Sequence, residues 1–230
     1  MSASSVSREN VALTDAQRRQ LGAVLDVLAS DEHAPSAVRE RGAAERVHVA
    51  DSLAALELER VRTARRIADL GSGAGFPGIA LAVALPQACV HLIESQRRKR
   101  EFLVRVCAQA GIGNARPVCA RAEEWREGIG RCQLVLARAL ASQPVVLEYA
   151  APLLELGGAL VDWRGRRDRE EEQRAERAAA LLGLERSEVR RVVPFAGATD
   201  RHLHVFEKRA ETPRRFPRRA GVARKHPLGG

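Results

Sequence analysis

"IADLGSGAGFPG", residues 67–78, decides how the rest of the chain is read. A short apolar run carries Asp69 near its end, and four glycines follow between Gly71 and Gly78. So dense a cluster is more than an ordinary turn requires. Gly71, Gly73 and Gly75 permit positive φ and let a ligand come close to the backbone. Pro77 suits the first turn of a helix. The stretch reads as strand, ligand loop, helix.

The same rhythm continues downstream. Apolar runs "CVHLIE", "ARPVCA", "CQLVLARA" and "GGALVDW" alternate with helical stretches such as "SQRRKREFLVRVCAQA" and "PVVLEYAAPLL". Alternation at this pace indicates a parallel sheet with helices on both faces. The last two strand-like runs, "RSEVRRVVPF" and "RHLHVFEKR", are joined by "AGATD", too short for a helical crossover, so they form an antiparallel pair at the sheet edge. The expectation is a mostly parallel seven-stranded α/β sheet. Upstream, "TDAQRRQLGAVLDVLAS" has a Thr14 cap and apolar residues at helical spacing, and "AAERVHVADSLAALEL" reads as a second helix. The expected units are a helical extension over 1–62, a catalytic domain over 63–209 and a basic, disordered tail over 210–230.

The 230 residues are 45% hydrophobic, enough for a substantial core, and no apolar run approaches membrane-spanning length. With no apolar leader in "MSASSVSREN", a cytoplasmic protein is expected. Cys89, Cys107, Cys119 and Cys132 lack metal-ligand or redox spacing and read as reduced, buried thiols. The net charge of +9 is uneven: residues 209–230 hold seven Arg or Lys against one Glu. A nearly balanced body with a cationic tail suits a polyanionic partner. The charged stretch 166–182 carries both signs and reads as a solvated helix face.

Two ligands compete for the glycine loop. Gly73-x-Gly75-x-x-Gly78, with Glu94 further on, matches the dinucleotide fingerprint literally. Phe76 and Pro77, however, stand where a pyrophosphate needs free backbone N–H groups. Asp69-x-Gly71-x-Gly73 fits S-adenosylmethionine, which has a ribose but no phosphate. Glu94, ending the second strand, would accept hydrogen bonds from the ribose hydroxyls. Ala122 and Glu123, in "RAEEW" after the third strand, would border the adenine.

The chain resembles the small-subunit ribosomal RNA methyltransferase G family, also called glucose-inhibited division protein B. The resemblance is carried by "VHVADS" (His48, Asp51, Ser52), "DLGSGAGFPG", "LIES", "RAEEW", "ARALAS", "RHLHVFEK" and "TPRRFPRRAG". It implies a class I, Rossmann-like methyltransferase fold, S-adenosylmethionine as cofactor, and methylation of guanine N7 in a 16S rRNA loop near the decoding centre. It places cofactor contacts on Gly71, Phe76, Ala122, Glu123 and Arg138. Two stretches depart from the family pattern. "EHAPSAVRE" stands where an Asn-Leu-Thr segment is common, and Arg164-Gly165 replaces Lys-Gly.

Guanine N7 carries an in-plane lone pair, so its methylation needs alignment and exclusion of water rather than a general base. The lack of a Ser/His/Asp set or a metal cluster in the sequence agrees with this. Arg138, ending the fourth strand, is the candidate positioning residue, toward either the cofactor carboxylate or guanine O6. His48, Asp51 and Ser52 share one helical face and would reach the pocket. Arg164 and the tail residues Arg214, Arg215, Arg218 and Arg219 would contact phosphates, with Phe216 stacking on a base. The expected partner is 16S rRNA or a small-subunit precursor, bound by a monomer without metal. The rival readings are an NAD(P)-dependent oxidoreductase and a non-catalytic RNA- or ribosome-binding protein.

Overall fold

The structure, a computed structural model, describes residues 13–230. Residues 1–12 of the expected extension, "MSASSVSREN" among them, lie outside the described residues.

Helix α1 (Asp15–Ser30) begins in a capping box. The Thr14 side chain accepts from the Gln17 amide, and the Gln17 side chain accepts from the Thr14 amide. Its buried residues Leu21, Val24, Leu25 and Leu28 share one core with Phe102 and Leu103. The second expected helix is not regular. It runs as α2 (Arg41–Ala44), a wide π-type turn (Glu45–Ala50), α3 (Asp51–Leu53) and a tight 3₁₀ turn (Ala54–Glu57). The π turn holds His48, and such turns re-aim side chains within a helix. Helix α4 (Glu59–Thr63) leads into β1 (Arg66–Leu70).

Seven strands form one sheet in the order β3-β2-β1-β4-β5-β7-β6. Strands β2 (Cys89–Glu94), β3 (Ala115–Cys119), β4 (Cys132–Arg138) and β5 (Leu154–Arg164) join β1 in parallel. Strands β6 (Leu184–Arg191) and β7 (His202–Lys208) pair antiparallel, and β7 inserts between β5 and β6. The strand order reverses between β1 and β4, the switch point at which open α/β sheets bind ligands. The glycine loop leaves β1, and Arg138 ends β4, at that point.

The two faces follow the strand period of two. Ile67 faces α5 (Gly78–Ala84) and α6 (Arg97–Gln109), together with the N-terminal helices. Ala68 and Leu70 face α7 (Gln143–Ala150) and α8 (Arg169–Leu182). Helix α8 is not merely solvated: it buries Ala175, Ala178, Ala179 and Leu182, and also Glu172, which Arg167 pairs and pulls down to about 2. The left-handed Gly183, φ 76°, ends α8, and β6 follows at once. The four cysteines are free; Cys107 and Cys132 are buried, but Cys119 is exposed.

The expected disordered tail is corrected by its packing. Phe216 and Ala223 lie in the α7–α8 core, and a short helix α9 (Val222–Lys225) follows. Arg218 grips the Glu148 carboxylate through Nε (2.8 Å) and Nη2 (2.5 Å), and that carboxylate's side chain is 1% exposed. A buried acid on α7 thus has its counter-ion on the tail, which explains how a cationic segment comes to be tied down.

Candidate cofactor and substrate site

The glycine loop is docked on the end of β2. The Gly71 and Ser72 amides donate to the Ile93 carbonyl at 2.9 and 3.1 Å, and the Gly73 amide donates to Glu94 Oε2 at 3.1 Å. Gly71 has φ +67°, and a Cβ there would lie 2.5 Å from Leu140 Cδ1. Glycine is therefore required both by conformation and by the leucine lying over it. Gly78 serves packing: a Cβ would meet Leu92 and Asp69 at 2.4 and 2.6 Å.

A small cavity of about 70 Å³ opens at the carboxyl ends of β1, β2 and β3. Its walls include Gly71, Ile93, Ser95, Ala122, Glu123 and Leu140. Gly71, Ala122 and Glu123 are thus brought together as expected, and the backbone that opens at Gly71 faces the side chains expected at the adenine. Glu94, 5% exposed, sits beside it between Ile93 and Ser95. Its Oε1 accepts from the Gln96 amide at 2.8 Å. The carboxylate holds the loop and keeps lone pairs for further donors, which fits a ribose.

Three expected cofactor residues are placed differently. Asp69 is 1% exposed and faces away from the cavity, its Oδ2 accepting from the Gly78 amide at 3.1 Å. Burial pushes its carboxyl up to about 6. It supports the loop rather than the ligand. Phe76 is buried and stacks on the His48 ring, centroids 4.9 Å apart and planes 12° apart. Arg138 turns toward the N-terminal helices. Its Nη1 donates to Val47 O and Asp51 Oδ2, each at 3.1 Å, and Nη2 meets His48 Nδ1 at 3.3 Å. Three of its five donors are spent there, leaving two for a ligand. Gly73 and Gly75 shape the loop, with φ +54° and +97°.

His48, Asp51 and Ser52 do converge on Arg138, but not as an open face. Ser52 is fully buried and its hydroxyl donates to the His48 carbonyl. His48 Nε2 pairs with Ser36 Oγ at 2.9 Å. Burial first, and then the Arg138 charge, hold the His48 pKa below its ordinary value, so the ring is neutral near pH 7. A neutral ring accepting from Arg138 at Nδ1 carries its proton on Nε2 and donates to Ser36. Asp51 also draws the Arg201 guanidinium to 3.4 Å, and its carbonyl accepts from Trp163 Nε1 at 3.0 Å. Ser36 lies in none of the motifs that carry the resemblance, Trp163 reads only as the end of a strand, and Arg201 opens "RHLHVFEK" with no role attached to it.

The loop after β4 is clamped from both sides. Ala139 has φ +53°, an uncommon conformation for a residue with a side chain. Arg164 Nη2 donates to Ala141 O at 3.0 Å, and its Nε donates to Asp162 Oδ2 at 2.7 Å. Gln143 Nε2 bonds the same Asp162 oxygen at 3.2 Å. Arg164 is therefore a loop-positioning residue turned inward, which corrects its expected phosphate contact. Arg218 and Phe216 are corrected likewise, since the ion pair and the core occupy them. Arg214, Arg215 and Arg219 remain exposed. Sequence reading missed Tyr149 and Arg224 at the cavity wall. Tyr149 sits in a helix that reads as core, and Arg224 in a tail that reads as RNA-binding.

Among the described residues no group of histidine, cysteine and carboxylate side chains is arranged to hold a metal. No helix among them is long and apolar enough to cross a membrane.

The sheet order and the position of the cavity define a class I methyltransferase fold. Mitomycin 7-O-methyltransferase MmcR shares it with a TM-score of 0.60 at 13% identity, covering 84% of this chain and 67% of that one. Fibrillarin of Aeropyrum pernix, solved with natively bound S-adenosyl-L-methionine, gives 0.55 at 18% identity, covering 68% and 72%. The model of the GidB family, rRNA small subunit methyltransferase G, matches residues 29–204. The ribosomal RNA small subunit methyltransferase G of Rubrobacter xylanophilus is 44% identical over 189 residues, 80% of this chain and 72% of its own. That of Alkaliphilus oremlandii is 33% identical over 228 residues, 95% of this chain and 94% of its own, so the likeness extends past the sheet at both ends. The chain belongs to the GidB family of small-subunit rRNA methyltransferases.

Proposed function

We propose that the chain methylates N7 of a guanine in 16S rRNA, in a loop near the decoding centre, with S-adenosylmethionine as donor. One observation carries the cofactor side: the cavity joins the glycine loop at Gly71 to Ala122 and Glu123 beside the Glu94 carboxylate. That arrangement supports a ribose acceptor beside an adenine slot. The Gly78 amide, which a dinucleotide would use, already donates to Asp69. A carboxylate there repels phosphate, which disfavours the oxidoreductase reading.

S-adenosylmethionine supplies an electrophilic methyl group on a sulfonium sulfur. The chain need only hold the acceptor in line with it and keep water out. Arg138, with two donors left and its guanidinium held by Asp51 and His48, would orient the guanine through O6 or the donor through its carboxylate. His48, stacked on Phe76 and neutral, keeps that wall rigid without taking up a proton. The chain acts as a cytoplasmic monomer on 16S rRNA or a small-subunit precursor, through the exposed Arg214, Arg215 and Arg219.

Mapping N7-methylguanine in 16S rRNA from cells with and without the gene tests this. Loss of one modified guanine, restored by the gene, is expected. An unchanged methylation map refutes the assignment and favours a non-catalytic ribosome-binding role.

A further inference from the structure

We infer that the C-terminal strap, residues 211–230, is part of the cofactor site, and that Arg224 closes its adenine side. This rests on the cofactor reading above. The strap is anchored at three places: Phe216 in the core, Arg218 on Glu148, and the Gly229 carbonyl, which accepts from Arg177 Nη2 at 2.6 Å. Between the last two anchors it crosses the mouth of the cavity. The Gly221 amide donates to Glu123 Oε1 at 3.1 Å. Arg224 Nη2 donates to the Leu140 carbonyl at 3.0 Å, and Arg224 lines the cavity beside Tyr149. Three residues apart in the strap, Gly221 therefore holds the acid expected at the adenine and Arg224 holds the residue lying over Gly71.

A planar guanidinium at this position offers an adenine ring both stacking and a forked donor. Leu140 and Arg224 both line the cavity and are hydrogen-bonded to each other, so a cofactor entering there meets them as one unit. The strap thus gates exchange. It also bears Arg214, Arg215 and Arg219 on its exposed side. A polyanion engaging those cations acts on the same segment that covers the cofactor, so RNA and cofactor binding are coupled, and equally in both directions.

The test uses the full chain and S-adenosylhomocysteine. Arg224→Ala is expected to weaken its binding roughly tenfold, about the loss of one charged hydrogen-bond partner. Arg224→Lys, which keeps the charge but loses the plane, falls between. Arg169→Ala, removing an exposed cation from α8, leaves the affinity unchanged. Hydrogen exchange on the unaltered protein gives the independent reading: adding S-adenosylhomocysteine protects amides 139–142 and 221–225 together. Unchanged affinity in Arg224→Ala, or no added protection over 221–225, overturns the inference. Should the variant fail to fold, the exchange measurement decides alone. Failure of the unaltered chain to bind S-adenosylhomocysteine overturns both this and the cofactor reading. Binding without rRNA methylation overturns only the substrate reading.

Discussion

Arg138 and Asp51 meet at 3.1 Å across the junction between the end of β4 and the N-terminal helices. The Asp51 side chain is 7% exposed and that of Arg138 17%. The ion pair joins the wall that carries His48 to the switch point of the sheet, so one residue serves both site geometry and the docking of the extension. Arg138→Ala leaves a buried carboxylate facing Arg201 alone. We expect a stability loss of about 3 to 5 kcal/mol, the scale of breaking a buried pair, with methylation abolished. Arg138→Lys does not rescue, because one ammonium cannot reach Val47, His48 and Asp51 together. Urea denaturation and single-turnover methylation check this. A stable but inactive alanine variant would show that the pair contributes nothing to the fold.

Arg164→Ala separates a positioning role from an RNA-binding one. It strands Asp162, 1% exposed, whose carboxyl burial has already pushed up to about 6. It also frees the Ala141 carbonyl. Stability should fall by about 3 to 5 kcal/mol, while the dependence of RNA binding on salt stays as it was. A flattened salt dependence would return Arg164 to the phosphates.

His204 gives a pH signature. It is 2% exposed, neither ring nitrogen has a hydrogen-bond partner among the described residues, and burial pushes its pKa down from 6.5 to about 4. The unfolded chain therefore binds the proton more tightly between pH 6.5 and 4. Stability from neutral His204 is complete above that window and is lost as pH falls through it. At about 1.4 kcal/mol per pH unit the loss approaches about 3 kcal/mol. Asp69 and Asp162, both raised, push the other way over much of the same range. The comparison must therefore be with His204→Leu, which keeps both. The leucine variant should lose about 3 kcal/mol less than the unaltered chain between pH 6.5 and 4, by urea titration at each pH. Parallel curves would mean that His204 is not buried in its neutral form.

What the sequence showed and what it hid divide by range. Strand and helix alternation, the loop at Gly71 and the Ala122–Glu123 turn are signals carried within a few residues, and they lead to the sheet and the cavity. Arg138 was legible as a strand-end residue at the switch point. Its partners were not, because Val47 and Asp51 lie some 90 residues upstream and the π turn that aims His48 has no residue signature. Phe216 was misread because a single aromatic among arginines has the look of an exposed base-stacking residue. The opposing clue lay elsewhere: Glu148 in the apolar run "VVLEY" needs a counter-ion, and Arg218 supplies it. A buried charge in one segment was the only pointer to the packing of another.

The strap must accordingly be probed by point changes rather than deletion. Removing residues 211–230 would uncover the Phe216 site and leave Glu148 buried without its partner, so lost RNA binding could not be told from lost fold. Phe216→Ala alone should cost about 3 to 5 kcal/mol, as for any aromatic removed from a core. Arg214 and Arg215 are exposed, and neither forms an ion pair among the described residues. The Arg215 guanidinium lies over the Phe216 ring, 5.1 Å from its centroid, so replacing both arginines with alanine should cost no more than about 1 kcal/mol. If each contacts one phosphate, the slope of log affinity against log salt should drop by about 1.4 to 1.8 in magnitude. The measurement is binding of a 16S rRNA fragment at three salt concentrations, with denaturation of the same samples. An unchanged slope in a stable double variant would move the phosphate contacts off the strap and onto the body, where α6 presents the exposed Arg97 and Arg98.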